Sequence, residues 1–254
     1  MNEMVDTVDA TSDTPIPRPV VSVGYAQTLD GRSATSTGSS QWISAPESLR
    51  FSHELRAEHE AIMVGAGTVC MDDPRLTVRL ATGSNPQRVV VDSTLRTPLT
   101  AAVLADGAAP GTVFAVTNRA PIAKRERVRA LGATVLCLPT NARSRVDLIP
   151  LLTALHQRGV GSVLVEGGAQ LITALLRARL VDRLAVCVAP KILGTGIEAV
   201  GDLGIRELAR TLIVTDASLS RYGEDVVFEG RVEYPDAPPM TLETREDLGC
   251  VTAS

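Results

Sequence analysis

The sequence predicts an α/β protein with a mostly parallel central sheet and helices on both faces. Runs rich in β-branched residues alternate with segments of helical periodicity from residue 20 to about residue 180. Several runs, such as AIMVGA at 61–66, are apolar throughout, which is typical of strands covered on both faces. After Val181 the runs follow one another with little helix between them, so antiparallel strands are expected to close one edge of the sheet.

The expected elements follow in chain order. The expected strands are 20–27 (VVSVGYAQ), 61–66 (AIMVGA), 87–92 (QRVVVD), 112–117 (TVFAVT), 134–138 (TVLCL) and 161–167 (GSVLVEG). The expected helices are 46–60 (PESLRFSHELRAEHE), 120–132 (APIAKRERVRALG), 146–159 (VDLIPLLTALHQRG) and 169–180 (AQLITALLRARL). The expected antiparallel strands are 184–190 (LAVCVAP), 211–220 (TLIVTDASLS) and 224–234 (EDVVFEGRVEY). Residues 19–234 are expected to form one domain. The polar, proline-rich residues 1–18 are expected to be a disordered arm, and 235–254 a tail.

The composition argues against nucleic acid and membranes as partners. The 254 residues carry a formal net charge of −4, so no global basic field exists. No segment approaches the roughly 20 apolar residues that span a bilayer, and the N-terminus does not resemble a secretory signal. A cytoplasmic protein is expected, in which local arginines would bind any anionic substrate.

The four cysteines favour neither disulfides nor a metal site. Cys70, Cys137, Cys187 and Cys250 are far apart and form no CxxC or Cys/His cluster. Cys137 and Cys187 lie in strand-like runs and are expected to pack in the core. We therefore expect no metal ion to be required.

Two glycine-containing turns follow apolar strands. In VLVEGG, Gly167 and Gly168 precede a helix whose leucines and isoleucine recur at i, i+4 spacing, which fixes its first turn against the sheet. A bulky anion could approach this helix start, although a tight strand-to-helix turn would use the same glycines. In VGAGTVCMDDPRLTVR (64–79), Thr68 could donate to a phosphate, and the Asp72-Asp73-Pro74 stretch could simply be a solvated turn. Neither GxGxxG nor GxxxxGK[ST] is present.

A third stretch, TLDGRSATSTGSSQWIS (28–44), predicts a turn at Asp30-Gly31 and then a loop rich in small and hydroxyl residues. It ends near Trp42, the single tryptophan, which could be a core or a ligand-binding residue.

Together, YAQTLDGR, SSQWIS, HELRAEHEAIMVGAGTV, DDPRLTVR, RVVVDSTLR, VLVEGG and DRLAVCVAPKILGTG resemble, in order and spacing, the pyrimidine reductases of riboflavin biosynthesis. This family is similar to the reductase half of the bifunctional deaminase/reductase and implies a dihydrofolate reductase-like fold over residues 20–233. The resemblance implies that NADPH reduces a ribosylamino-pyrimidine 5′-phosphate, of the uracil or the pyrimidinone type, to its ribitylamino form.

The resemblance also implies the site residues. The implied substrate-binding residues are Ser40, Arg56, Leu76, Arg79 and Glu166. The implied cofactor-binding residues are Ala26, Trp42, Thr68, Asp72, Ser93, Gly168, Ala169, Gln170, Leu171, Ile172, Thr173 and Ala174. Guanidinium groups suit a phosphate, and a carboxylate can accept hydrogen bonds from the pyrimidine, so Glu166 is also the catalytic candidate.

The sequence departs from the family pattern at two points. Gly24 occupies a position where many relatives carry a lysine, although members of the archaeal type lack it too. No HxE followed by PCxxC is present, so no deaminase zinc site is expected, and His53 and His59 are expected to be solvated or capping residues of their helix. Two alternatives stay open: a related NADPH-dependent reductase of a pterin, dihydrofolate-like or secondary-metabolite pyrimidine substrate, and a non-catalytic nucleotide-binding module.

A homodimer is expected from the C-terminal strands. The family resemblance implies dimers, and the segments Arg183–Ala189 and Val226–Glu233 are apolar enough to suggest an unpaired sheet edge that a second copy could cover.

Overall fold

The computed structural model describes residues 17–41 and 43–235. Within them the α/β fold is confirmed. The strands are β1 (Val20–Thr28), β2 (Arg32–Thr35), β3 (Ala61–Gly65), β4 (Gln87–Val91), β5 (Thr112–Val116), β6 (Thr134–Cys137), β7 (Ser162–Gly167), β8 (Arg183–Ala189), β9 (Gly196–Glu198), β10 (Ile213–Tyr222) and β11 (Asp225–Glu233). The helices are α1 (Pro46–Glu58), α2 (Ala66–Asp72), α3 (Ile122–Ala130), α4 (Leu148–His156) and α5 (Ala169–Arg177). Nearly all of the predicted N-terminal arm and C-terminal tail, and Trp42, lie outside the described residues.

Nine strands form one sheet in the order β10-β11-β8-β1-β7-β3-β4-β5-β6. The strands from β8 to β6 are parallel, whereas β11 and β10 are antiparallel to their neighbours. The expectation that β8 is one of the antiparallel strands was therefore wrong in part. β8 pairs in parallel with β1 because α5 provides the crossover from β7 that returns the chain to the same end of the sheet.

Helices cover both faces, and this explains why the central strands are apolar throughout. Met63 of β3 packs in a core cluster with residues of α4 and α5, such as Leu151 and Leu175. Ile62 and Val64 of the same strand pack in a second cluster, on the opposite face, with residues of α2 and α3. Because successive side chains of a strand point to opposite faces, a strand buried on both sides needs apolar residues at every position.

At the C-terminal side of the described sheet the outermost strand is β10. The sequence analysis had placed the unpaired edge at the segments Arg183–Ala189 and Val226–Glu233. β8 lies between β1 and β11, and β11 lies between β8 and β10, so both are interior strands. β10 is mostly exposed, with Leu219 68% and Ile213 57% accessible. The sequence alone does not say which of three consecutive strands is outermost.

One of the two predictions of a buried cysteine is confirmed and the other was wrong. Cys187 in β8 is buried, as expected, and lies 3.5 Å from the Asp225 carboxylate. Cys137 is exposed, so its predicted core position was wrong. It is the last residue of β6, the strand at the other edge of the described sheet.

The predicted Asp30-Gly31 turn is confirmed. Gly31 has φ 80° and donates its N–H to the Thr28 carbonyl. The Asp30 carboxylate accepts hydrogen bonds from the Thr28 hydroxyl and from the N–H groups of Leu193 and Gly194, which lower its pKa to about 2. Part of the stretch expected to be a loop is the short strand β2, which pairs with β9.

Candidate active site

The two glycine turns meet at the carboxyl edge of the sheet. β3 and β7 are parallel neighbours whose register shifts by one residue after Met63, so that Val64 lies opposite Gly167. A Cβ atom built on Gly168 would lie 3.2 Å from Thr68 Oγ1, and one built on Gly167, where φ is 141°, would lie 3.6 Å from it. The threonine hydroxyl therefore lies against the backbone of the VEGG turn, and the two turns form one surface at the ends of neighbouring strands.

The N-terminus of helix α5, the positive end of the helix dipole, lies at this surface. Gly168 is its N-cap, and the N–H groups of Leu171 and Ile172 both turn back to the Gly168 carbonyl. Ala169 and Gln170 are thus the residues whose N–H groups point out of the first turn. Gln170 is exposed, whereas the helical residues that follow face the core.

Several residues of the implied cofactor run therefore have structural side chains. Leu171 and Ile172 are buried, and Ala174 packs against the same core cluster. The Thr173 hydroxyl donates to the Ala169 carbonyl at 2.6 Å and accepts from the Gly201 N–H at 2.9 Å. Within this run only the first turn, 168–170, leaves backbone N–H groups free of helical partners, and the residues after it hold that turn in place.

Arg56 and Glu166 form a bidentate ion pair beside the VEGG turn. Arg56 Nε and Nη2 donate to the two Glu166 oxygens at 2.6 and 2.7 Å, and Nη1 donates to the Thr77 carbonyl at 3.1 Å. The side chains are only 11% and 17% exposed. Burial lowers the pKa of the Arg56 guanidinium, but the hydrogen bond and charge of Glu166 outweigh it, so that pKa is raised. Helix α1 and strand β7 are thereby joined at the site.

Arg79 lies close to this pair, as the resemblance required. The pKa of its guanidinium is lowered by burial and then by the positive charges of Arg56 and Arg75, whereas the negative charge of Glu166 raises it. Its Nη1 donates to the Thr77 hydroxyl at 2.8 Å on the exposed side. Neither Arg56 nor Arg79 forms an ion pair with Glu60 or Asp73, the surface partners that a purely structural role would favour.

Ser40 and Asp72 face each other at the rim of the site. The hydroxyl lies 3.5 Å from Asp72 Oδ1, a long contact, and burial raises the pKa of the Asp72 carboxyl. Asp73 has a different role: its carboxylate accepts the Ala102 N–H at 2.7 Å, and its backbone has φ 40° at the end of α2. Both aspartates are exposed, so the solvated turn considered for the Asp-Asp-Pro stretch remains compatible with the structure, and the Asp73 carboxylate in addition anchors the Ala102 backbone.

Ser93 lies where three loops meet. Its hydroxyl accepts the Val146 N–H at 3.0 Å, and its carbonyl accepts from Thr117. Arg119 donates to the Ser144 carbonyl at 3.1 Å, and Arg145 donates to Gln170 Oε1 at 2.9 Å. The loop 140–146 is therefore attached both to the end of β4 and to the first turn of α5.

Two implied residues contact core clusters. Leu76, with φ 52°, is 2% exposed in the core cluster of α2 and α3, so any contact with a ligand would be made largely by its backbone. Ala26 is partly buried and packs against the cluster that includes Phe51, Cys187 and Val227. Trp42 is outside the described residues.

Position 24 lies against packed side chains. A Cβ atom on Gly24 would lie 3.2 Å from Leu164 Cδ1 and 3.4 Å from Leu55 Cδ1. A side chain at this position would require Leu164 to shift by a few tenths of an ångström, whereas the distance to Leu55 is close to an ordinary van der Waals contact.

The prediction for His53 was wrong: it is fully buried and neither solvated nor a cap. Its Nδ1 accepts the Arg79 N–H at 2.9 Å. His59 does help to end α1, since its ring contacts the Leu55 carbonyl at 2.7 Å and the Ser22 hydroxyl at 2.8 Å. The i, i+3 spacing of His53 and Arg56 was the sequence signal that the two share one side of the helix.

Comparison with known proteins identifies the family. Residues 19–228 match the family model of the RibD C-terminal domain. The chain belongs to this family. Within the RibD C-terminal domain family, the 2,5-diamino-6-ribosylamino-4(3H)-pyrimidinone 5′-phosphate reductase of Methanothermobacter thermautotrophicus is 45% identical over 222 residues, which cover 85% of this chain and 99% of that protein.

Longer RibD proteins are similar over part of their length. RibD of Aquifex aeolicus is 39% identical over 211 residues, which cover 83% of this chain and 57% of that protein. A solved structure of Acinetobacter baumannii RibD matches with a TM-score of 0.74 at 27% identity, covering 85% of this chain and 58% of that one. The chain thus spans less than two thirds of these RibD proteins.

Residues 17–41 and 43–235 contain no group of three or more His, Cys, Asp or Glu residues that could hold a metal ion. None of the helices in this part of the chain has the length and apolar character needed to cross a membrane.

Proposed function

We propose that the protein is a riboflavin-biosynthesis reductase that uses NADPH to reduce 2,5-diamino-6-ribosylamino-4(3H)-pyrimidinone 5′-phosphate to its ribitylamino form. The observation that carries the proposal is the Arg56–Glu166 pair, with Arg79 beside it, next to a glycine surface suited to a dinucleotide. The choice of the pyrimidinone over the uracil is supported by the Methanothermobacter thermautotrophicus reductase, which this chain matches over nearly that protein's whole length.

In the proposed site Arg79 binds the substrate phosphate and Glu166, held by Arg56, accepts hydrogen bonds from the pyrimidine. Gly168, Ala169 and Gln170 bind the dinucleotide phosphates through backbone N–H groups and the helix dipole. When bound, the cofactor supplies the hydride. The protein contributes geometry and a dry site, and the candidates for supplying the proton that the reduction requires are water and Glu166.

NADPH rather than NADH is proposed because arginines surround the cofactor surface without acidic partners. Arg96 Nη2 lies 3.4 Å from the position of a Cβ on Gly67, and Arg119 and Arg145 flank Ser93 as described above. Within the described residues, none of the three forms an ion pair with a carboxylate. Such guanidinium groups suit the additional phosphate of NADPH.

The proposed function is tested by following nicotinamide oxidation with each pair of cofactor and substrate. We expect turnover with NADPH and the pyrimidinone phosphate, less with the uracil phosphate and least with NADH. A reductase of pterins would instead turn over dihydrofolate, and a nucleotide-binding module would bind NADPH without any turnover. The first result would contradict the proposed substrate, and the second would contradict the proposed activity.

We further propose that the protein forms a homodimer through the β10 edge. Leu219 and Ile213 are exposed on this strand, and none of the strands in residues 17–41 and 43–235 pairs with its outer side. Light scattering is expected to give twice the chain mass at micromolar concentration, and Leu219→Lys is expected to give a monomer. The control Leu29→Lys alters a leucine that is 65% exposed outside β10 and should stay dimeric. A monomeric wild-type protein would contradict the proposal.

A further inference from the structure

His53 contributes a hydrogen-bond acceptor to the backbone of the site. It lies on α1 one turn before Arg56 and has no exposed surface. Its Nδ1 accepts the Arg79 N–H, so the proton of the neutral ring is on Nε2. Nε2 is buried, and no described residue accepts a hydrogen bond from it.

The segment Thr77–Arg79 is attached at three points. Arg56 donates to the Thr77 carbonyl at 3.1 Å, and the Val78 N–H donates to Asn85 Oδ1 at 2.8 Å. The third attachment, from His53, is the one that acts on the backbone of Arg79 itself. The position of that arginine relative to α1 therefore depends directly on the imidazole.

Arg79 needs such an attachment because its neighbours repel it. Arg56 and Arg75 are both close enough to act on its charge. Arg79 is exposed, and like charges repel, so these two arginines favour movement of its side chain away from the site, against the attraction of Glu166. A hydrogen bond from its own N–H to a rigid helix opposes that movement while leaving the guanidinium free to bind an anion.

A neutral histidine suits this role better than an apolar residue or a charged histidine. An apolar side chain would avoid the buried, unpartnered Nε2–H, but it would leave the Arg79 N–H without an acceptor. Burial, and then the charges of Arg56 and Arg79, lower the pKa of His53 to about 4, so the ring is neutral at neutral pH and keeps Nδ1 as an acceptor.

We propose that His53 is a positioning residue that holds Arg79 in place to bind the phosphate of the substrate. The proposal rests on the function proposed above, in which Arg79 binds the substrate phosphate. His53 does not touch the substrate in this arrangement; it acts through the backbone of Arg79.

Two substitutions separate positioning from packing. His53→Leu fills the space without an acceptor, whereas His53→Asn offers Oδ1 near the position of Nδ1. For His53→Leu we expect about a tenfold higher KM for the phosphorylated substrate, from loss of one buried hydrogen bond, with kcat and NADPH affinity nearly unchanged. His53→Asn should restore most of this loss, and the dephosphorylated substrate should be insensitive to either change.

Two measurements need no turnover. Hydrogen exchange at the Arg79 amide should be faster in His53→Leu than in the wild type and in His53→Asn. Titration with ribose 5-phosphate should show about tenfold weaker binding to His53→Leu. His59→Leu, which removes the histidine after the same helix, should change neither. These readouts separate a failure of this proposal from a failure of the substrate assignment.

The proposal is overturned if His53→Leu leaves exchange at Arg79 and ribose 5-phosphate binding unchanged. It is also overturned if KM rises equally for phosphorylated and dephosphorylated substrate, which would indicate a general packing defect. Thermal unfolding of all three variants identifies such a defect, and His53→Asn keeps the test valid if His53→Leu does not fold.

Discussion

Arg56→Ala is expected to reduce both the stability and the activity of the protein more than loss of any exposed arginine. The change leaves the Glu166 carboxylate, 17% exposed, without the guanidinium that satisfies both its oxygens. Breaking a mostly buried pair on one side costs about 3 kcal/mol of unfolding free energy, or roughly 6–12 °C in Tm for a domain of this size. kcat/KM is expected to fall about a hundredfold or more, because Glu166 is then neither neutralised nor oriented.

A double-mutant cycle with Glu166→Gln measures the pair. Arg56→Ala should cost clearly less stability in the Glu166→Gln background, and additivity within about 0.5 kcal/mol would contradict the interpretation. Arg50→Ala is the matched control on α1, because its pair with Glu54 is exposed and should contribute under about 1 kcal/mol.

Arg79→Ala should differ from Arg56→Ala: we expect little loss of stability and a loss of activity that depends on the substrate phosphate.

Gly168→Ala is expected to weaken NADPH binding by about tenfold to a hundredfold. The added methyl group would lie 3.2 Å from the Thr68 hydroxyl, on the surface where a dinucleotide phosphate must approach the backbone. Fluorescence titration with NADPH measures the effect, and the affinity for the pyrimidine phosphate should change much less.

Gly161→Ala is the matched control for this prediction. It lies just before the other end of β7, where a Cβ would be 3.4 Å from the Glu60 carboxylate, and it should leave NADPH affinity unchanged. Equal affinities of Gly168→Ala and the wild type would show that the VEGG turn is only a strand-to-helix connection, the alternative left open by the sequence.

The sequence by itself determined the fold class and the position of most elements. Periodicity separates α5, with its i, i+4 stripe of leucines and isoleucine, from β3, which is apolar throughout because both faces are covered. These are local properties, because the spacing of apolar residues within an element indicates which of its faces are buried. The family resemblance was equally accessible, because it depends on the order and spacing of short motifs along the chain.

Only the tertiary structure decided which of the candidate residues meet. Arg56 and Glu166 are 110 positions apart, and the order of strands in the sheet brings them together as a pair. The burial of His53 and its bond to Arg79, the location of the free edge at β10 and the exposure of Cys137 also depend on packing between distant segments. A one-dimensional pattern specifies which face of an element is apolar, but not which neighbour covers that face, and for this reason partners and edges could not be read from the sequence.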